Sequence, residues 1–162
     1  MTTIQKMPDN AKLWVYQSDR AFTENEVTEI NTIGTSFIND WSAHGASLKA
    51  GFEVLYNSFI ILAVDEQQAL ASGCSIDKSV KFMKELELKY NINLFDRMQV
   101  AYRKGNEIVV CKLSAFEKLA EQGEVNENTI VFNNMVTTKA SFDKEWELPL
   151  QQSWQKRVLV NS

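Results

Sequence analysis

The chain has 162 residues, 44% of them apolar, and this size and composition predict one domain over residues 1–162 with a sizeable core. Because 17 basic residues stand against 21 acidic ones, for a net charge of −4, nucleic acid is disfavoured as a partner. The start MTTIQKMPDN has no apolar signal region, and the longest apolar run, residues 59–64, is too short for a membrane span, so we expect a cytoplasmic protein.

The cysteines give no sign of a metal centre or a disulfide framework. Cys74 and Cys111 lie far apart in the sequence, without CxxC spacing and without a cluster of histidines. We therefore expect two free thiols and no cofactor.

The first predicted elements are a strand over residues 12–17 and a helix that follows it. Thr23 and Glu26 form the T-x-x-E pattern of a capping box, in which each side chain accepts a hydrogen bond from the backbone N–H of the other residue. Apolar residues then recur at helical spacing, at Val27, Ile30, Ile33, Phe37 and Trp41. This stripe predicts a helix that packs on a sheet and ends near His44 and Gly45.

A hairpin and a second helix come next. Two β-runs, residues 48–56 and 59–64, are separated by Asn57 and Ser58, which favours a tight antiparallel turn. The second run, FIILAV, is apolar on both faces, as is typical of a central strand that is covered on both sides. A helix over residues 75–90 follows, and the loop ASGCS leads into it.

Residues 97–113 predict a second hairpin whose register can be derived. A turn at residues 105–106 fixes every cross-strand pair. The resulting pairs include Lys104 with Glu107, Tyr102 with Val109, and Val100 with Cys111. Cys111 then lies among core side chains, which favours a structural role. An open edge of this hairpin could pair with a second copy and form a homodimer.

The remaining segment predicts a short helix, a strand and a packed tail. Ser114 and Glu117 repeat the capping-box pattern, and Gly123 can end the helix that follows. Residues 129–132 favour a strand. The C-terminal tail, residues 141–162, contains Trp146 and Trp154, and we expect short helical turns whose tryptophans pack on the domain.

The element order β-α-β-β-α-β-β-α-β plus a helical tail predicts an α+β two-layer sandwich. Its sheet is expected to be largely antiparallel, with the helices mostly on one face. Following the strand directions places His44 and Cys74 at the same end of this sheet.

Residues 72–79 are the candidate site, because glycine, a thiol and hydroxyls precede a helix there. A helix N-terminus attracts anions, and side chains near it can add hydrogen bonds or charge. The residues predicted to hold a small anionic ligand are Ser72, Gly73, Ser75, Lys78 and Ser79. The structural alternative is a tight turn followed by an ordinary solvated first helical turn.

The same loop supports a second, catalytic hypothesis. The helix N-terminus could activate the Cys74 thiol, with His44 as the base, for acyl transfer or thiol redox chemistry. Alternatively, Cys74 fills a small gap beneath the turn and His44 complements the carbonyls at the end of the first helix. Asp77 is one of several acids that could orient His44.

The segment ASGCSIDKS, the AHG around His44, LFDR at residues 94–97 and TIVFNN at residues 129–134 resemble a small uncharacterised bacterial family. The resemblance spans most of the chain, and it implies no established activity, although members are often labelled ABC transporter ATPases. A P-loop requires glycines where this chain has Ser72 and Asp77, and no LSGGQ-type signature occurs. We therefore expect no ATP hydrolysis.

The sequence thus predicts a non-ATPase binding or interaction protein that holds a small anionic ligand at residues 72–79. The alternative function is that of a cysteine-dependent enzyme using Cys74 with His44. A third interpretation is a subunit that acts only with an unidentified protein partner.

Overall fold

The computed structural model describes residues 4–67 and 69–159. Its helices are α1 (Glu24–Asp40), α2 (Gly73–Tyr90), α3 (Leu113–Glu121) and α4 (Lys139–Glu145). Its strands are β1 (Lys12–Gln17), β2 (Ser42–Ala43), β3 (Ala46–Ser47), β4 (Lys49–Leu55), β5 (Phe59–Asp65), β6 (Gln99–Lys104), β7 (Glu107–Lys112), β8 (Ile130–Phe132) and β9 (Glu147–Pro149). Short 3₁₀ helices occupy Ile4–Lys6, Leu150–Gln152 and Trp154–Leu159. None of the helices described is long and apolar enough to cross a membrane.

The described strands form two larger antiparallel sheets and one small hairpin. The first sheet has the order β1-β5-β4, the second has the order β7-β6-β8-β9, and β2 pairs only with β3. The α+β class and the largely antiparallel pairing are thereby confirmed. The structure adds that the strands are divided between two sheets, with β1 and β4 at the edges of the first and β7 and β9 at the edges of the second.

Strand β5 is the centre of the first sheet and is fully buried, as its apolar sequence predicts. Ile60, Leu62 and Val64 pack against α1 and α2, whereas Phe59, Ile61 and Ala63 pack toward the second sheet. The opposite face of the second sheet packs on α3 and the last 3₁₀ helix. The layers therefore run from α1 and α2 through the two sheets to α3.

Helix α1 begins as predicted and ends earlier than predicted. Thr23 Oγ1 accepts from the Glu26 N–H at 3.2 Å, and a Glu26 carboxylate oxygen accepts from the Thr23 N–H at 2.9 Å, so the capping box is confirmed. The helix ends at Asp40, because Trp41 turns into extended backbone and buries its ring in the core. The chain then forms the β2–β3 hairpin, which the sequence analysis did not predict.

The register derived for the second hairpin is confirmed. Lys104 lies opposite Glu107, Tyr102 opposite Val109, and Val100 opposite Cys111. Cys111 is half-buried against the cluster that contains Phe116, and burial raises the pKa of its thiol. Its surroundings agree with a structural role.

The segment after this hairpin departs from the prediction in two places. Helix α3 begins at Leu113 directly after β7, and the Leu113 N–H bonds the Met98 carbonyl of the hairpin. The N-cap is therefore Lys112, whose side chain can only donate and makes no cap. The capping box predicted at Ser114 is therefore wrong, whereas Gly123 ends the helix region with φ +76°, as expected. In the tail, strand β9 joins the second sheet, which the prediction of helical turns missed. Residues 160–162 of the predicted tail lie outside the described residues.

Candidate functional site

The predicted site at residues 72–79 is the N-terminus of α2. Ser72 is the N-cap, and its Oγ accepts from the Ser75 N–H at 3.1 Å. The Ser75 hydroxyl accepts from the Ser72 N–H at 2.7 Å and donates to the Ser72 carbonyl at 2.8 Å. Ser79 donates to the Ile76 carbonyl at 2.6 Å, and both Ser75 and Ser79 are buried. Their hydroxyls thus serve the helix itself.

The other predicted residues of this loop face outward. Gly73, Cys74 and Lys78 are exposed, and a Cβ added to Gly73 would meet no atom within 4 Å. The structure therefore separates the set predicted to bind an anion into buried hydroxyls and an exposed glycine and lysine. Cys74 is solvent-accessible and does not fill a gap beneath the turn.

His44 lies at the tip of the β2–β3 hairpin. Its φ of +51° and the +81° of Gly45 form a tight hairpin turn, so the alternative interpretation of His44 as a residue at the end of α1 is wrong. The Trp41 Nε1 donates to the Ser75 carbonyl at 2.8 Å, which brings the end of α1 against the start of α2. Within the described residues, however, no hydrogen bond joins His44 to Cys74, and both are exposed.

A cavity of about 600 Å³, here called the β1 groove, lies elsewhere, beside the first strand. It is lined by residues 13–17 of β1, by residues 94–97 and 99, by Phe132 and residues 134–137, and by Trp154 and Gln155. The size is that of a small-ligand pocket. Three of its large apolar side chains, Phe95, Met135 and Trp154, are exposed at its walls.

A hydrogen-bond relay sets the orientation of Gln17 in the groove. The Trp146 indole can only donate, and it donates to Asn134 Oδ1 at 3.0 Å. The Asn134 Nδ2 then donates to Gln17 Oε1 at 2.7 Å. The Gln17 Nε2 is left over as a donor, and no partner for it is present in the part of the chain that the structure describes.

Gln155 presents a complementary acceptor in the same groove. Its Oε1 is buried without a hydrogen-bond partner among residues 4–67 and 69–159. Gln155 is 2% exposed and Gln17 is 8% exposed, so water reaches neither side chain freely. A buried polar atom without a partner costs about 1–3 kcal/mol, and such atoms are rare in native proteins. Two residues that line the β1 groove thus each contain one buried polar atom without a partner, a donor in Gln17 and an acceptor in Gln155.

A second cavity, of about 280 Å³, is lined by Glu53 and by charged groups that pair with other side chains. Arg103 Nε donates to Glu147 Oε1 at 2.6 Å, and the Tyr56 hydroxyl donates to Glu147 Oε2 at 3.1 Å. Lys139 pairs with Asp143 in the same wall. The Tyr56–Glu147 bond ties the β4–β5 turn of the first sheet to β9 of the second.

Sequence reasoning missed the groove, although one signal for it was present. Leu13, Val15 and Gln17 share one face of β1, so an amide occupies a position where the strand pattern calls for an apolar residue. The sequence contained no comparable indication that Gln155 is buried, because its burial depends on how the C-terminal tail packs on the domain.

No group of three or more acidic, histidine or cysteine side chains that could hold a metal ion occurs among the described residues.

The chain matches no protein-family model, no curated protein and no solved structure, so its function has to be inferred from its own residues.

Proposed function

We propose that this protein is a non-ATPase binding protein that holds its ligand in the β1 groove. The observation that carries the proposal is the pair of unpartnered amide atoms, Gln17 Nε2 and Gln155 Oε1, at one cavity. A ligand that accepts from the first and donates to the second would remove the cost of leaving both unpaired. The surrounding aromatic rings would supply apolar contact area.

The buried relay behind Gln17 supports a binding role. Asn134 and Trp146 hold the Gln17 amide in one orientation, so its free N–H groups are pre-arranged before a ligand arrives. Pre-arranged donors lose less conformational entropy on binding than mobile side chains do.

The first site hypothesis, a small anion at residues 72–79, stays a prediction. Lys78 and the N-terminus of α2 supply positive potential there, but the Ser75 and Ser79 hydroxyls are already used by the helix. Two observations argue against nucleotide hydrolysis at this loop: both glycine positions of a P-loop are substituted, and the strand before the loop, β5, belongs to an antiparallel sheet.

Heteronuclear NMR with two probes distinguishes the two sites. A collection of small planar amides and lactams is expected to shift the backbone signals of residues 13–17, 94–99, 134–137 and 154–155. If the anion site exists, inorganic phosphate is expected to shift the signals of residues 72–79 only. The Gln155→Met variant should weaken the amide shifts, and Gln152→Met, at an exposed position of the neighbouring turn, should not. Amide fragments that leave the groove signals unchanged would contradict the proposal.

A further inference from the structure

The main chain of β1 has an unpaired edge inside the groove. Ser18 N–H donates to the Ser58 carbonyl at 2.8 Å on the side of β5, whereas Leu13 N–H donates to the Thr137 carbonyl at 3.0 Å on the opposite side. Because successive residues of an antiparallel strand alternate in direction, Val15 and Gln17 point their N–H and C=O groups the same way as Leu13. In the part of the chain described, these groups of Val15 and Gln17 have no hydrogen-bond partner.

The chain itself already pairs with the beginning of this edge. Lys12 and Thr138 form an antiparallel bridge, and the Lys139 N–H donates to the Ala11 carbonyl at 3.0 Å. The main-chain pairing stops at Leu13, and farther along the partner segment Asn134 and Met135 form a turn. The edge is therefore competent to form a ladder and is left incomplete where the groove opens.

The walls of the groove restrict what can complete the ladder. Residues 94–97 line it from one segment, and residues 134–137 with Trp154 line it from others, so β1 is enclosed between them. A single extended segment fits such a recess, whereas the edge of a second folded sheet would bring its own neighbouring strands into these walls. Unpaired strand edges are the surfaces to which extended peptides add.

We infer that the β1 groove binds an extended peptide segment of a partner protein, which adds as a strand to the edge at Val15 and Gln17. This inference rests on the proposed function and specifies its ligand class. About four residues, at roughly 3.3 Å each, would span the open edge. The Gln17 Nε2 donates to a peptide carbonyl and the Gln155 Oε1 accepts from a peptide N–H, since a peptide group offers both. Apolar side chains of the segment contact Trp14, Phe95 and Trp154.

Peptide chemistry provides the decisive test. A display library of random heptapeptides is selected on the full chain, and the best sequence is synthesised with N-methyl groups on alternate amides. Methylation of the amides that face β1 is expected to weaken binding by about tenfold or more, while methylation of the intervening amides, apart from the one whose N–H bonds Gln155 Oε1, leaves affinity unchanged. Equal effects of the two series, or no effect of either, would overturn the inference.

A pair of variants tests the same contact from the protein side. Val15→Pro removes the outward N–H without touching the β1–β5 ladder, and it is expected to weaken the peptide by a similar factor. Val15→Ala keeps the N–H and should retain most of the affinity. If Val15→Pro does not fold, the N-methyl series still decides the question.

The outcomes separate this inference from the proposed function. Amide fragments that shift the groove signals, combined with a failure to select any peptide that does so, would leave the binding function standing and overturn the peptide inference. Peptides that shift residues 72–79 instead, combined with amide fragments that leave the groove signals unchanged, would overturn both.

Two other occupants are tested in parallel. If deletion of residues 160–162 by itself shifts the groove signals and raises peptide affinity, the chain's own end competes for the groove and the inference fails. If sedimentation shows a dimer that the peptide dissociates, a second copy is the occupant and the inference also fails. A monomeric protein whose groove signals do not change when residues 160–162 are deleted supports the inference.

Discussion

Two glutamine side chains that line the β1 groove are unusual, because each contains a polar atom that folding removes from water without giving it a partner. Gln17 and Gln155 come from opposite ends of the chain. Such an arrangement lowers stability, and binding sites commonly accept that cost. The effect of replacing one of these amides therefore reports on the role of the groove.

The Gln155→Met variant is expected to raise the free energy of unfolding by about 1–3 kcal/mol, because it removes an unpaired buried acceptor and keeps similar volume. Urea unfolding followed by far-UV circular dichroism measures the change. Gln152→Met, on an exposed position, serves as the control and should be nearly neutral. A loss of stability in Gln155→Met would show that the amide is a structural requirement.

Glu26 provides a pH-dependent prediction. The Arg20 guanidinium, through two hydrogen bonds of 2.8 Å, and the Thr23 amide lower the pKa of Glu26 from its ordinary value of 4.5 to about 2. Because the unfolded chain then binds more protons than the folded one between about pH 5 and pH 2, stability falls as pH falls through that window.

The Glu26→Gln variant should have a free energy of unfolding lower than that of the wild type by up to about 1 kcal/mol at pH 7. The loss is no larger because Arg20 is partly exposed and solvent screens its ion pair. The difference from the wild type should shrink toward zero as the pH approaches 2. Urea titrations at pH 7, 4 and 2 measure it, and Glu24→Gln in the same first turn is the control. A difference that does not change with pH would contradict this assignment.

The cysteine-enzyme hypothesis makes a prediction about one thiol. If His44 acts as a base for Cys74, the Cys111→Ser protein should react with iodoacetamide faster at neutral pH than the same protein with His44→Ala. Equal rates would contradict the dyad. The absence of a hydrogen bond between the two described residues makes this the direct test.

Among the contacts between secondary-structure elements, helix α1 packs very closely on strand β4. Gly34 is buried in the helix, and a Cβ there would lie 2.1 Å from the Phe52 ring. The sequence alone favours alanine over glycine within a helix by about 1 kcal/mol, so only the packing explains this glycine.

Gly34→Ala is accordingly expected to destabilise the protein by about 1–3 kcal/mol, because Phe52 must move within a packed core. Gly73→Ala is the matched control, since Gly73 lies in α2 with open space around it, and it should be neutral or stabilising by up to about 1 kcal/mol. Thermal unfolding of both variants makes the comparison. A stabilised Gly34→Ala would show that helix propensity outweighs the contact.

The molecule as a whole depends on the apolar cluster between its two sheets. Trp146 lies in that cluster, with ring centroids 5.0 Å from Phe59, 4.9 Å from Phe132 and 4.6 Å from Phe142. Since one sheet contributes Phe59 and the other contributes Phe132, the two sheets share a single core surface. We expect them to unfold together.

Trp146→Ala should lower the free energy of unfolding by about 3–5 kcal/mol. In the wild type, unfolding followed by circular dichroism and by fluorescence should show one coincident transition. Trp154→Ala, which removes a partly exposed ring from the wall of the groove, should cost much less. Separate transitions for the two probes in the wild type would contradict a shared core.

The sequence by itself determined the local features of this protein. The capping box at Thr23, the central position of β5 and the register of the β6–β7 hairpin were predictable, because each depends on residues close together in the chain. The α+β class followed from the order of these elements. The early end of α1 and the uncapped start of α3 were not predictable, because Trp41 packing and the Met98 carbonyl decide them.

Only the tertiary structure decided where a ligand could bind. The bond between Gln17 and Asn134 joins residues 117 positions apart, and Gln155 reaches the same groove from the tail. The division of the strands into two sheets, which places β1 at an edge, likewise depends on long-range pairing. The motif at residues 72–79 was conspicuous in sequence because its members are neighbours, yet the helix uses two of its hydroxyls for its own backbone. Side chains acquire unsatisfied hydrogen-bonding capacity only through their burial, and burial is a property of the folded chain.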